Sequence, residues 1–251
     1  MPDKSSYQPG EPTWMDLASP DTDASAAFYG ALLGWTATEG DPEYGGYRTF
    51  QKDGKDVGGL GPIMAPGQPP SWTTYIAVDD AQKYADLATE HGGSVLAAPM
   101  EVGELGVMTV LADPTGAVFG TWQAKQMTGA QVVHEEGVYS WTELSTRDQG
   151  VAQPFYRALF GWEPQTSPDY TEFQLTGTSV AGCMDMPAEV PAEVPSYWMP
   201  YFASTDPEAH AKKAAELGGD VVVPYMDFGE GAFSMVRDPH GATFGLLRMK
   251  G

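Results

Sequence analysis

Two short stretches of the chain set an indole beside a carboxylate. In "TWMDLAS", at 13–19, Trp14 precedes Asp16 by two residues, and in "SWTELST", at 140–146, Trp141 precedes Glu143 by the same spacing. Both stretches alternate as strands do, and every second side chain of a strand shares a face. The same alternation puts Tyr75 on the face of Thr73 and Tyr201 on the face of Met199. A carboxyl group held among aromatic rings and away from water resists ionisation. Its pKa rises toward the range useful for a general acid or base. An indole offers a flat apolar face and one N–H donor, which suits stacking on a planar ligand. Plainer readings stand beside these: the carboxylates fasten their strands by accepting hydrogen bonds, and the indoles fill space.

Imidazole and thiol chemistry find less support. His91 and His210 fall on predicted helices, His134 precedes the second half of the chain and His240 sits in a turn. No two stand at i, i+2 or i, i+4, so none pairs with another as a local ligand set. Cys183, the single cysteine, lies in "VAGCMDM" with no histidine nearby and reads as a small buried residue. Standing alone, it also excludes an intrachain disulfide.

The strands that carry these groups are written twice. "FYGALLGW" at 28–35 returns as "FYRALFGW" at 155–162, and "DPTGAVFG" at 113–120 returns as "DPHGATFG" at 238–245, each with six of eight letters kept. The offsets, 155 − 28 = 127 and 238 − 113 = 125, give a repeat near half the 251-residue length. The sequence therefore predicts two domains, 13–126 and 138–251, joined by a linker at 127–137. Residues 1–12, polar and rich in Pro and Gly, are expected to be a flexible lead-in. Within each half a strand, a helix and further strands joined by glycine-containing turns occur twice, which makes four βαβββ units of an α+β protein. One predicted helix runs from Ala81 to His91 behind an aspartate cap and stops at Gly92 and Gly93. Asp113 and Asp238 open the repeated turns and read as structural.

Four such units, with "FYxxLxGW" closing the odd-numbered helices and "DPxGxxFG" closing the even-numbered units, resemble the vicinal oxygen chelate superfamily of glyoxalase I, bleomycin-resistance proteins and extradiol dioxygenases. The resemblance covers nearly the whole chain. It implies that each pair of units curls a mixed sheet into a cup with helices on its convex face. In the enzymes of the superfamily a metal is held inside the cup by His, Gln or Glu. The matching positions here are Trp14, one near Gly59, Thr73 and Gly120 in the first half, and Trp141, one near Gly182, Met199 and Gly245 in the second. None offers an imidazole or carboxylate, so no metal and no other cofactor are expected. The cup is expected to bind through Trp14, Thr73, Tyr75, Trp122, Trp141, Met199 and Tyr201, with Asp16 and Glu143 as candidate catalytic groups.

Thirteen basic against 34 acidic residues give a net charge of −21. That charge repels phosphate backbones and anionic membranes and favours a neutral or cationic aromatic ligand over an anionic one. With neither a leader nor a spanning apolar run, the chain is expected to be soluble and cytoplasmic. Two functions remain open at this point. One is metal-independent binding or sequestration of a small planar molecule, and the other is a metal-independent lyase, isomerase or hydroxylase-type enzyme that uses a cup carboxylate as acid or base.

Overall fold

A computed structural model describes residues 4–168, 170–188 and 190–250. The first unit runs β1 (Pro12–Ser19), α1 (Thr22–Leu33), β2 (Thr36–Ala37), β3 (Arg48–Lys52) and β4 (Lys55–Pro62). The second runs β5 (Ser71–Ala77), α2 (Ala81–Glu90), β6 (Ser94–Val102), β7 (Gly106–Ala112) and β8 (Val118–Ala124). The third is β9 (Tyr139–Thr146), α3 (Gln149–Phe160), β10 (Glu163–Thr166), β11 (Thr171–Leu175) and β12 (Thr178–Asp185). The fourth is β13 (Tyr197–Ala203), α4 (Pro207–Glu216), β14 (Asp220–Asp227), β15 (Gly231–Arg237) and β16 (Thr243–Met249).

Local chemistry fixes the helix ends. Each helix opens on an aspartate whose carboxylate accepts a first-turn N–H: Asp21 from Ala24, Asp80 from Lys83, Asp148 from Val151 and Asp206 from Ala209. Such a cap is worth about 1 kcal/mol. Helices α1 and α3 stop at Gly34 and Gly161, whose φ values of 77° and 70° lie in the left-handed region that glycine enters freely.

Each half forms one eight-stranded mixed sheet, in the orders β2-β3-β4-β1-β5-β8-β7-β6 and β10-β11-β12-β9-β13-β16-β15-β14. The two units of a half join where β1 runs antiparallel to β5, and β9 to β13. Strand alternation then divides the side chains. Met15 and Leu17 of β1 enter the helix-covered core, whereas Trp14 clusters apart from it with Tyr75 and Trp122 on the opposite, concave face.

The halves do not own separate cores. One large cluster joins Phe28, Tyr29 and Leu32 of α1 to Ala211 of α4 and to Phe202, Phe244 and Leu246 of the second sheet. The other joins Tyr84 and Ala88 of α2 and Phe119 of β8 to Phe155, Tyr156 and Leu159 of α3. The sheets thus stand back to back and meet directly where β5 lies against β13 and the Thr74 hydroxyl bonds that of Thr142 at 3.1 Å, with the helices packed beside this contact in the shared cores. Full burial of each large apolar side chain contributes about 1.5–3 kcal/mol.

The repeated motifs meet crosswise inside these shared cores. Tyr29 of the first "FYxxLxGW" donates its hydroxyl to Asp238 of the second "DPxG" turn at 3.1 Å, and Tyr156 donates to Asp113 at 3.0 Å. Trp72 and Trp198 complete the pattern by donating to the hydroxyls of Tyr29 and Tyr156 at 3.0 and 2.8 Å. Likewise Trp35 donates to the Gly137 carbonyl at 2.8 Å and Trp162 to the Gly10 carbonyl at 2.9 Å. Residues 4–11, expected as a flexible lead-in, are therefore tied to the second half. They are also tied to the linker, because Tyr7 donates to the Ala130 carbonyl and the Lys4 amide to that of Gln131.

Replacing Tyr29 or Tyr156 with phenylalanine leaves a buried carboxylate oxygen and a buried indole N–H each short of a partner. Each substitution is expected to cost about 1–3 kcal/mol, read as a lower urea midpoint with an unchanged m-value.

Candidate functional site

The concave faces are built alike. In the first, Asp16 lies opposite Thr73 on one side and Gly59 on the other, Trp14 lies opposite Tyr75, and Tyr75 lies beside Gly120. In the second, Glu143 lies between Met199 and Gly182, Trp141 opposite Tyr201, and Tyr201 beside Gly245. The fold thus gathers Trp14, Asp16, Thr73, Tyr75 and Trp122 on one face and Trp141, Glu143, Met199 and Tyr201 on the other.

Two residues that carry the geometry escaped the sequence reading. Tyr47 and Tyr170 each stand one position before a strand, β3 or β11, and swing over the concave face. Trp14 donates its indole N–H to the Tyr47 hydroxyl at 3.0 Å, and Trp141 to that of Tyr170 at 2.8 Å. Tyr47 and Tyr75 both hydrogen-bond Asp16. Tyr170 and Tyr201 both hydrogen-bond Glu143, Tyr201 through Oε1 at 3.0 Å. Each cup therefore contains one chain of contacts: indole to phenol to carboxyl to second phenol. The signal was present as "YRTF" and "YTEF", which set a tyrosine three residues before a core phenylalanine in both repeats.

Glycines make room for these rings. A Cβ at Gly59 would overlap the Tyr47 hydroxyl and one at Gly182 the Tyr170 hydroxyl, while at Gly120 and Gly245 it would overlap the rings of Tyr75 and Tyr201. Four of the positions where the superfamily places ligand side chains are thus backbone, and phenols lie over them. The donors in reach are indole, phenol, threonine or methionine and one carboxylate, a set unlike the several His, Gln or Glu ligands that such a metal takes. Among the described residues no group of three His, Cys, Asp or Glu side chains could hold a metal. The site does not fit the metal of the superfamily.

Electrostatics follow from burial. Desolvation pushes the Asp16 carboxyl from 3.8 up to about 7, against the opposing pull of its bonds from Tyr75 and Tyr47. Glu143 is raised for the same reason and likewise restrained by Tyr170 and Tyr201. Burial holds all four phenols above their ordinary value, so they remain donors. A half-protonated carboxyl near neutral pH between two phenols can take up or release a proton.

The other sequence candidates lie apart from this arrangement. Cys183 is fully buried, and its thiol is pushed up to about 12 by desolvation. Asp113 and Asp238 accept the backbone N–H groups of their own turns and the crosswise tyrosines. His134 stands beside a cleft of about 120 Å³ that reaches Trp141, together with Tyr7, Tyr139 and Lys4. Burial lowers its pKa, and its imidazole bonds the Ser140 carbonyl.

Comparison with known proteins accords with this geometry. Residues 14–121 match the family model described as a glyoxalase-like domain. "Putative glyoxylase CFP32" of Mycobacterium tuberculosis (strain CDC 1551 / Oshkosh) is 38% identical over 259 residues, covering 99% of this chain and 98% of its own. The chain belongs to the glyoxalase-like, vicinal oxygen chelate family. A second relative, the "Anthracycline biosynthesis protein DauV" of Streptomyces sp. (strain C5), is 38% identical over 266 residues, covering 97% of this chain and 95% of its own. Among solved structures, the Mn(II)-bound glyoxalase from Novosphingobium aromaticivorans shares the glyoxalase-like fold with a TM-score of 0.66 at 15% identity, covering 96% of this chain and 82% of that one.

Asp16 gives a signed pH dependence. Because its folded pKa lies above the unfolded value, its contribution to stability is complete below about pH 4 and is lost as pH rises through about 7. Wild-type unfolding free energy is expected to fall across that window more steeply than that of Asp16→Asn, in urea titrations at stepped pH. The donor set leads to a second expectation, that a chelator leaves the melting temperature unchanged and elemental analysis finds no stoichiometric divalent metal. Loss of a bound metal with loss of stability would overturn the placement of these strands.

Proposed function

We propose that the protein binds a small planar aromatic molecule in its concave aromatic sites without a metal. The observation that carries this reading is Trp141, which is half-buried and opens on a cleft walled by Tyr7 and Tyr139, while its N–H is already engaged by Tyr170. Its apolar ring is thus left for stacking, and a stacked aromatic pair contributes about 0.5–1.5 kcal/mol beyond area burial. Two relatives at 38% identity are named anthracycline biosynthesis proteins, which supports a planar polycycle of that kind as the ligand. The net charge of −21 favours a neutral or cationic molecule and disfavours nucleic acid and anionic membranes as partners. No helix among the described residues is long and apolar enough to cross a membrane. A cytoplasmic location accords with this and with the single buried cysteine.

The position of Asp16, near neutrality between two phenols, favours a second reading: a metal-independent lyase, isomerase or hydroxylase-type enzyme with that carboxyl as its acid or base. Titration with doxorubicin, a soluble anthracycline, tests the first reading. Quenching of tryptophan emission with micromolar affinity is expected, and no binding up to the solubility limit would sink it. Asp16→Asn and Glu143→Gln then separate the two. A binder keeps its ligand with modest change, whereas an enzyme keeps binding and loses about 10²–10⁴-fold in turnover.

A further inference from the structure

We infer that the two concave sites have different occupants: the linker of the chain seals the first, and a ligand enters only the second, so one chain takes one planar molecule. This rests on the binding reading above. In the first site the linker lies directly on the floor. Trp122 donates its indole N–H to the Met127 carbonyl at 2.8 Å, Thr13 donates its hydroxyl to the Thr128 carbonyl at 2.9 Å, and the Ala130 amide donates back to the Thr13 carbonyl at 2.9 Å. Gln131 then clasps β4, its amide donating to the Asp56 carbonyl and its side-chain oxygen accepting from the Asp56 amide, both at 2.8 Å. Ala130 is fully buried in one cluster with Trp14, Tyr75 and Trp122, and Met127 and Val133 pack on it. Gly129 permits this approach: its φ is 132°, and a Cβ there would strike Thr13.

The duplication shows what the same place holds in the second half. The repeat offset of 127 carries Thr13 to Ser140 and Trp14 to Trp141. The register of Gly59 and Gly182 against the two carboxylates carries Lys55, Asp56 and Val57 to Thr178, Ser179 and Val180. These counterparts, Ser140, Trp141 and Thr178 to Val180, are walls of the cleft of about 120 Å³. Where Thr13 receives a backbone amide from the linker, the Ser140 carbonyl receives the imidazole of His134. Where Trp14 keeps only 5% of its surface exposed, Trp141 remains half-buried.

The chemistry of the cleft selects a neutral ring. The ammonium of Lys4 is held by Glu11 at 3.0 Å, and the lowered pKa of His134 keeps its imidazole uncharged at neutral pH. The Lys4 ammonium also lies over one face of Tyr7 at 4.5 Å, so the ring of Trp141 is the aromatic face that remains. A cavity of about 150 Å³ accepts benzene, so this cleft admits about one ring, and the rest of a polycycle would project through its open side.

The division is tested with and without ligand. A soluble paramagnetic chelate should broaden the indole NMR signal of Trp141 and spare that of Trp14; equal broadening of both would overturn the sealed first site. Doxorubicin should bind once per chain, and Trp141→Ala should weaken it about tenfold. Two equivalent sites in the wild type would overturn the inference. Complete absence of doxorubicin binding would instead remove the binding reading, while the paramagnetic experiment still decides whether the linker seals the first site. Gly129→Ala, which lifts the linker from Thr13, should expose the Trp14 indole to the chelate. Unchanged protection in a variant folded by circular dichroism would show that the linker is not the seal.

Discussion

Two buried hydrogen bonds, Tyr29 to Asp238 and Tyr156 to Asp113, hold the rest of the structure in register. Each joins a helix of one half to a turn of the other, and each carboxylate would be costly to bury alone. The turns satisfy one oxygen with their own N–H groups: those of His240, Gly241 and Ala242 reach Asp238 Oδ1, and those of Thr115 and Ala117 reach Asp113 Oδ1. The tyrosine satisfies the other oxygen, and its own hydroxyl accepts from Trp72 or Trp198. The rings repeat the same arrangement. Tyr29 stacks on Trp35 at 5.8 Å and meets Trp72 edge-on at 5.3 Å, while Tyr156 does the same with Trp162 at 5.6 Å and Trp198 at 5.3 Å. The backs of the sheets are therefore fixed against each other, and their concave faces stay free of helices.

On those faces one substitution governs the chemistry. Side chains removed at Gly59, Gly120, Gly182 and Gly245 leave volume, and tyrosine rings from neighbouring strands and loops fill it. A site suited to several ligand side chains around an ion becomes one carboxyl between two phenols. Burial favours the neutral carboxyl and the phenol donors favour the ionised one; for Asp16 the balance falls near neutrality. Tyr47 cannot move independently of this balance, since it also accepts the N–H of Trp14.

Much of this was legible in the sequence, because it depends on local rules. The duplication gave the four units and their order, alternation gave the faces of Trp14, Asp16, Trp141 and Glu143, and aspartate and glycine gave the helix ends. What was not legible depends on contacts between distant segments. "FYxxLxGW" reads as a helix packing on its own sheet, and nothing in its spacing says that its tyrosine bonds the turn of the other half. The lead-in reads as flexible, yet Gly10 is the partner of Trp162 across 152 positions. Tyr47 and Tyr170 lie just outside their strands, so alternation assigned them no face.

The two halves also show how far a repeated scaffold can diverge without losing its frame. Asp16 and Glu143 make the same pair of phenol contacts, but the longer side chain of Glu143 leaves it 9% exposed, whereas Asp16 stays half-buried. Desolvation nonetheless raises both carboxyls, that of Asp16 to about 7, and the linker covers the indole beside Asp16. In the second half the aromatic floor is the more open part and the carboxyl the more enclosed. Ring stacking is thus favoured at one copy of the motif, and the shared cores keep both copies in place while their linings differ.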